Sequence, residues 1–342
     1  MKRFALPVLT ILAACLLVLS PLQAKGEGKP FHLRLAYSPS LCQAPLHVAV
    51  EKGFFAAEGI EAENIQIDPA HVQEAVAAGQ IDAGFGLIGK FLKPLENGLP
   101  IKFTAGIHTG CIKLAVAKDS PIRSVADLKG KRIGVTGLVG AETIIAKRAL
   151  AAEGISVDAK KPEVEFVVFS RNDLGQAIQK GIVDAVGLGD PAISLIARQY
   201  GLRILLDTAK TGDFAREYCC GSFVSIKFAK ENPAKADAFT RAVLKASVWV
   251  QQHPEEAARI QLEKKYVAGT LDFNTELLKS YNYIPSVQGG YDALLKGVTQ
   301  LVDIGMLDPI KRENIKAFVD NHYLFSRDVP DSYKPEDIAS FK

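Results

Sequence analysis

AVAAGQIDA at residues 75–83 returns as AIQKGIVDA at 177–185, so that Ala75-x-x-x-Gly79-x-Ile81-Asp82-Ala83 is matched position for position by Ala177-x-x-x-Gly181-x-Val183-Asp184-Ala185. In each copy a helical run meets a glycine, which ends helices because it takes up the left-handed conformation at little cost, and a β-branched residue then starts a strand. A common helix–glycine–strand junction occurring twice by chance is one explanation. Two similar α/β lobes in one chain is the simpler one, because the surrounding segments alternate in the same way.

Working outward, His32 to Tyr37 reads as a strand, Pro45 to Glu58 as a helix closed by Gly59, and Ile65 to Ile67 as the next strand. Past the middle, Ser124-Val-Ala-Asp127 has the form of a capping box for a short helix that Gly130 ends, with a strand over Lys131 to Thr136. Gly137 to Gly140 then opens a helix over Ala141 to Glu153, stopped by Gly154. Pro233 to Gln252 reads as a long helix, since Ala236, Phe239, Val243, Ala246 and Val250 keep a 3.6-residue period; Trp249 on it reads as packing.

At the N-terminus, Met1-Lys2-Arg3 precedes the uncharged run Phe4 to Ser20 and then Pro21-Leu22-Gln23-Ala24, the order of a secretory signal peptide over residues 1–24. That leader predicts a periplasmic protein, with no later stretch approaching the roughly 20 apolar residues of a spanning helix. Leu12-Ala13-Ala14-Cys15 leaves lipidation at Cys15 as an alternative. Without the leader 318 residues remain, enough for two domains with well-buried cores, carrying 39 basic against 38 acidic side chains. So even a balance offers no clustered basic excess for a phosphate backbone, and no nucleic-acid partner is expected.

The run Ala36-Tyr-Ser-Pro39, Pro45 through Phe55 (PLHVAVEKGFF) and Glu58-Gly59-Ile60 resembles the nitrate, sulfonate, taurine and thiamine-precursor-binding branch of the periplasmic binding proteins. Gly79 to Gly84, Asn97 to Ile101, Lys118 to Ile122, SVADLKGKRIGV at 124–135 and Gly181 to Pro191 continue the resemblance in order. The resemblance implies a two-lobed periplasmic-binding-protein type II fold whose lobes are joined by two crossover strands. One lobe would be residues 29–116 plus 223–342, the other 117–222. It also implies a monomeric receptor, without a cofactor and not an enzyme, that captures a small anionic or zwitterionic solute and presents it to a membrane permease with its cytoplasmic ATPase. Two positions depart from the branch. His47 stands where tyrosine or phenylalanine is usual, and Gly189-Asp190-Pro191 replaces a tryptophan-glutamate-proline run.

Ligands of open α/β sheets gather beyond the carboxyl ends of the strands. That rule selects Ser38, Ser40, Cys42 and Gln43 after the first strand, Phe85, Gly86 and Leu87 at the end of another, His108 and Cys111, then Gly137, Gly140, Ala141 and Glu142, and finally Asp190, Tyr218 and Cys219. Gly84-Phe-Gly86-Leu-Ile-Gly89 fits a dinucleotide fingerprint, yet no acidic residue follows between Asn97 and Lys118 to hold a ribose, so its glycines read as allowing backbone to approach a ligand. The entrance Gly137 to Gly140 offers free helix amides to an oxyanion, although Glu142 would repel one and favour a zwitterion or amine.

Cys42, Cys111, Cys219 and Cys220 all fall in these loops. In an oxidising compartment they suggest disulfides; a thiolate site for a soft metal, assisted by His47 or His108, and ordinary packing are the alternatives. One enzyme of thiamine biosynthesis, a pyrimidine synthase, is similar to this branch and carries the run C-C-C-F-C. Here the region reads Cys219-Cys220-Gly221-Ser222-Phe223, with two cysteines rather than four. The chain has no G-x-S-x-G elbow, no phosphate-binding G-x-x-x-x-G-K-[ST] loop and no H-E-x-x-H helix.

Overall fold

Both copies of the repeated segment fold alike, and for the same reasons. The helices Val72–Ala77 and Leu174–Gln179 run into Gly79 (φ +69°) and Gly181 (φ +68°). Gln80 N and Ile182 N then donate back to the carbonyls of Ala75 and Ala177, each at 2.9 Å, closing the helix end. The aspartate of each copy has a partner the sequence pattern did not reveal. Asp82 accepts from Arg34 N (3.0 Å) and Nε (2.9 Å), and Asp184 from Arg132 N (2.9 Å) and Nε (3.1 Å). Each carboxylate therefore pins the start of one strand to an arginine on its neighbour, and the conserved spacing of the echo is the spacing of this latch.

The computed structural model describes residues 30–67, 71–308 and 312–341, so the predicted leader, with Cys15, lies outside the described residues. The strands are β1 (Phe31–Tyr37), β2 (Ile60–Gln66), β3 (Ala83–Leu87), β4 (Ile101–Thr109), β5 (Ile112–Ala117), β6 (Arg132–Val135), β7 (Glu165–Val168), β8 (Ala185–Gly189), β9 (Leu202–Asp207) and β10 (Tyr218–Ser225). They form two sheets of five, ordered β2-β1-β3-β10-β4 and β7-β6-β8-β5-β9. β1 pairs parallel with β2 and β3, as β6 does with β7 and β8. The fourth place in each sheet is antiparallel and exchanged. β10, which returns from the second sheet, sits between β3 and β4, while β5, which follows β4 directly, sits between β8 and β9. The chain thus passes from one sheet to the other between Thr109 and Ile112 and returns between Asp207 and Tyr218.

Several elements differ from expectation. The helix expected over residues 45–58 is two pieces, Ala44–Glu51 and Phe54–Ala57, because Gly53 at φ +78° breaks the turn between them. The strand expected at 65–67 begins at Ile60, with pairing to β1 holding residues that show no clear alternation. The long helix spans Pro233–Gln252 as read, and Trp249 is buried in it, its indole N–H donating to the Phe341 carbonyl at 2.8 Å. Among the described residues no helix is long and apolar enough to cross a membrane.

Candidate functional site

The two crossings bring the four cysteines of the described residues together. Cys42 lies in the single turn Leu41–Gln43 after β1, His108 at the end of β4, Cys111 in the outward crossing, and Cys219 and Cys220 at the start of β10. One donor atom each from Cys42, His108, Cys111 and Cys220 lies within 4.8 Å of all the others, and all four residues are buried. Cys219 flanks the group, its Sγ 3.4 Å from that of Cys111 and 3.7 Å from that of Cys220. All four thiols are free. Around His108 stand Phe85, Tyr281 and Tyr283, at ring-centroid distances of 5.9, 5.6 and 5.1 Å. The Tyr283 hydroxyl donates to the Cys42 carbonyl at 3.3 Å, and the Tyr281 hydroxyl is buried without a partner. Burial pushes both tyrosines well above their usual range, so they are neutral at any physiological pH.

Beside this group, a cavity opens between the two sheets. Leu87, Ile88 and Leu92 line it from one side, Ala141, Ile144 and Arg148 from the other, and Thr208, Tyr218 and Cys219 from the return crossing. Arg148 is the member that sequence reasoning missed. It lies on the helix Ala141–Ala152 two turns beyond the glycine entrance, on a face that only the packed structure turns toward the cleft. Its guanidinium pairs with Glu217 at 2.7 Å and lies over the Phe214 ring at 5.0 Å, while its Nε is buried and bonded to nothing. The walls are close: a Cβ on Gly89 would stand 3.5 Å from Ile144, in ordinary van der Waals contact across the cleft. The cavity volume is about 30 Å³, room for one water but not for a solute.

The remaining predicted residues fall into local roles. Gln43 accepts from Ser38 N at 2.9 Å and donates to the Phe85 carbonyl at 3.2 Å, tying the loop after β1 to β3; Ser40 Oγ is 3.2 Å from Cys42 Sγ. Glu142 turns back over the Gly137–Gly140 entrance, accepting from Thr136 N at 3.1 Å and from the Thr136 hydroxyl, and its carboxylate would stand 2.8 Å from a Cβ on Gly140. An anion at those amides would meet a resident carboxylate. Two glycines of the 84–89 run, expected to admit a ligand, instead admit core rings: a Cβ on Gly84 would lie 2.6 Å from Phe223, and one on Gly86 2.7 Å from Phe91; Gly89 lines the cavity. Asp190, where the branch usually has glutamate, is buried in an ion pair with Lys113 of β5, with the Ser194 hydroxyl on its other oxygen. Burial raises the Asp190 pKa, against the pull of the Lys113 ammonium.

His47 is not part of the thiol group. It is buried in the helix Ala44–Glu51, stacked on Tyr266 at 4.0 Å, and its Nδ1 accepts from Gln261 Nε2 at 2.9 Å. Burial drives its pKa down to about 3. The departure from the branch's aromatic residue at this position is thus a neutral imidazole doing an aromatic ring's packing.

The comparisons with known proteins agree with this architecture. The NMT1/THI5 like family model matches residues 42–257. A Bacillus subtilis protein named for aliphatic-sulfonate binding is 28% identical over 318 residues, covering 88% of this chain and 90% of its own length. The 4-amino-5-hydroxymethyl-2-methylpyrimidine phosphate synthase of Aspergillus parasiticus is 29% identical over 245 residues, 66% of this chain and 68% of that one. Among solved structures, the periplasmic aliphatic sulphonate binding protein SsuA of Escherichia coli superposes with a TM-score of 0.68 at 16% identity, over 92% of this chain and 100% of that one. At such identity the likeness speaks for the fold alone, and the fold is that of the periplasmic binding proteins.

Proposed function

The chain belongs to the NMT1/THI5-like family, and from that premise we propose that it is the receptor of an ATP-binding-cassette importer, capturing a small anionic or zwitterionic solute outside the cytoplasm and handing it to the permease. The observation that carries this reading is Arg148, a cation with a buried, unbonded Nε on the wall of a cavity between the two sheets. A buried donor left without an acceptor costs free energy, about 1–3 kcal/mol, that an incoming carboxylate or sulfonate oxygen would return. The partner carboxylate of Glu217 can stay for a zwitterion's ammonium, which is why both solute classes remain in the proposal.

At about 30 Å³ the cavity admits no solute with the lobes as they stand, so capture is a clamp whose lobes part to admit the solute and close on it at a wider spacing than this one. We divide the lobes at the two changes of sheet, 109–112 and 207–218, which are the hinges, rather than at 116/117 and 222/223, because β5 lies in the second sheet and β10 in the first. Closure then requires differential contacts, which Arg148 from one lobe and the Leu87–Leu92 wall from the other would supply.

The test is a thermal-shift screen of alkanesulfonates, nitrate, amino acids and pyrimidines, followed by calorimetry on the best binder. Arg148→Met is expected to weaken that binder about 30-fold, the equivalent of ~2 kcal/mol for one lost charged hydrogen bond. An unchanged affinity would remove Arg148 from the site. Consumption of the solute, as the relatives named as synthases suggest testing, would replace a receptor with an enzyme.

A further inference from the structure

We propose that Cys42, Cys111 and Cys220, with one ring nitrogen of His108, form a site for a single thiophilic cation with a filled d shell, Zn(II) or Cu(I). Three sulfurs and one imidazole are the donor set of closed tetrahedral zinc sites, and thiolate is the ligand that selects soft metals over Mg²⁺ or Ca²⁺. The four donor atoms lie within 4.8 Å of one another. With metal–sulfur bonds of about 2.3 Å, tetrahedral neighbours stand roughly 3.8 Å apart. The ion would therefore draw the donors in by at most about 1 Å, within reach of side-chain rotation.

The surroundings match what such a ligand set requires. His108 Nδ1 lies 3.2 Å from the Thr109 carbonyl, and donating its proton there leaves Nε2 as a lone-pair donor. Nε2 is fully buried and has no partner, an expensive state that a metal bond would end. The donors are dry and ringed by Phe85, Tyr281 and Tyr283, and the nearby Asp190 is already engaged by Lys113. Binding forms one bond to each of three sulfurs and one nitrogen, and each of the three thiols gives up its proton to solvent.

Position gives the site a second consequence. Its ligands come from the loop after β1, the end of β4, the outward crossing and strand β10 of the first sheet, so one ion would fasten the outward crossing to the first lobe.

The experiment uses the full mature chain, reduced and kept under argon, titrated with Co(II), with Zn(II) and with Cu(I). One ion per chain is expected, with the intense visible bands of tetrahedral thiolate-bound Co(II), bleached by Zn(II) or Cu(I); the displacement order identifies the preferred ion. Alkylation followed by peptide mapping should find Cys42, Cys111 and Cys220 protected by metal, and Cys111→Ser should lose the Co(II) bands while Cys219→Ser keeps them. No saturable uptake, a weak octahedral Co(II) spectrum, or full alkylation in the presence of each metal would overturn the proposal. The protection map is read on the unmutated protein, so a variant that fails to fold does not blunt the test. No solute is present, so a negative result here leaves the solute-capture reading standing.

Discussion

Lys113→Met should destabilise the folded chain by about 3–5 kcal/mol, the range for removing one partner of a buried ion pair. Both side chains are almost completely buried, and among the described residues nothing else charged is in hydrogen-bonding range of the Asp190 carboxylate, whose other contact is the Ser194 hydroxyl. The orphaned carboxylate is left in a site that already raises its pKa, so the variant should take up a proton there. Its deficit should therefore be larger at pH 8 than at pH 5. The double variant Lys113→Met/Asp190→Leu should recover most of the loss, because apolar packing replaces a pair whose desolvation consumes much of its attraction. Urea unfolding of the four members of this cycle measures the coupling, and equal losses in single and double variants would show that the pair is not the source.

Acid should destabilise the protein through His47. Its folded pKa of about 3 lies below the ordinary 6.5, so the folded state keeps the ring neutral while the unfolded chain takes up a proton as pH falls below 6.5. The contribution is thus complete above pH 6.5 and is lost as pH falls from there toward 3. At about 1.4 kcal/mol per pH unit, roughly 3 kcal/mol goes between pH 6.5 and 4. His47→Phe, which keeps a ring against Tyr266, should remove that slope while the carboxylates below pH 5 keep theirs. Unfolding curves at pH 7, 5.5 and 4 decide it: parallel losses in the two proteins would mean that His47 is not buried neutral.

What could be read from residues alone was local. The repeated Ala-Gly-Asp frame signalled two similar units because a helix stop, a turn and a strand start are all short-range events, and Pro233–Gln252 was legible because its apolar period is long. The Arg34–Asp82 and Arg132–Asp184 latches were not legible: their partners are 48 and 52 residues apart, and no local pattern joins them. The same limit hid the exchange of β5 and β10, since parallel and antiparallel neighbours share one alternation. It also hid Arg148, whose orientation is set by helix packing. Cys42 and Cys111 could be placed in cleft loops by their positions after strands, whereas Cys219 and Cys220, expected in a loop, lie inside β10, and the convergence of the four depends on how β10 and the outward crossing pack together. The glycines at 84 and 86 misled because a missing Cβ serves a packed phenylalanine as well as a ligand.

A clamp that closes on a solute held by Arg148 should change the size of the molecule in solution. Small-angle X-ray scattering on the unmutated protein and on Arg148→Met, each with and without a solute that calorimetry proves is bound, tests it most directly. A smaller radius of gyration is expected on adding solute to the unmutated protein, and no change in the variant at the same concentration. An identical radius with the unmutated protein saturated would contradict it.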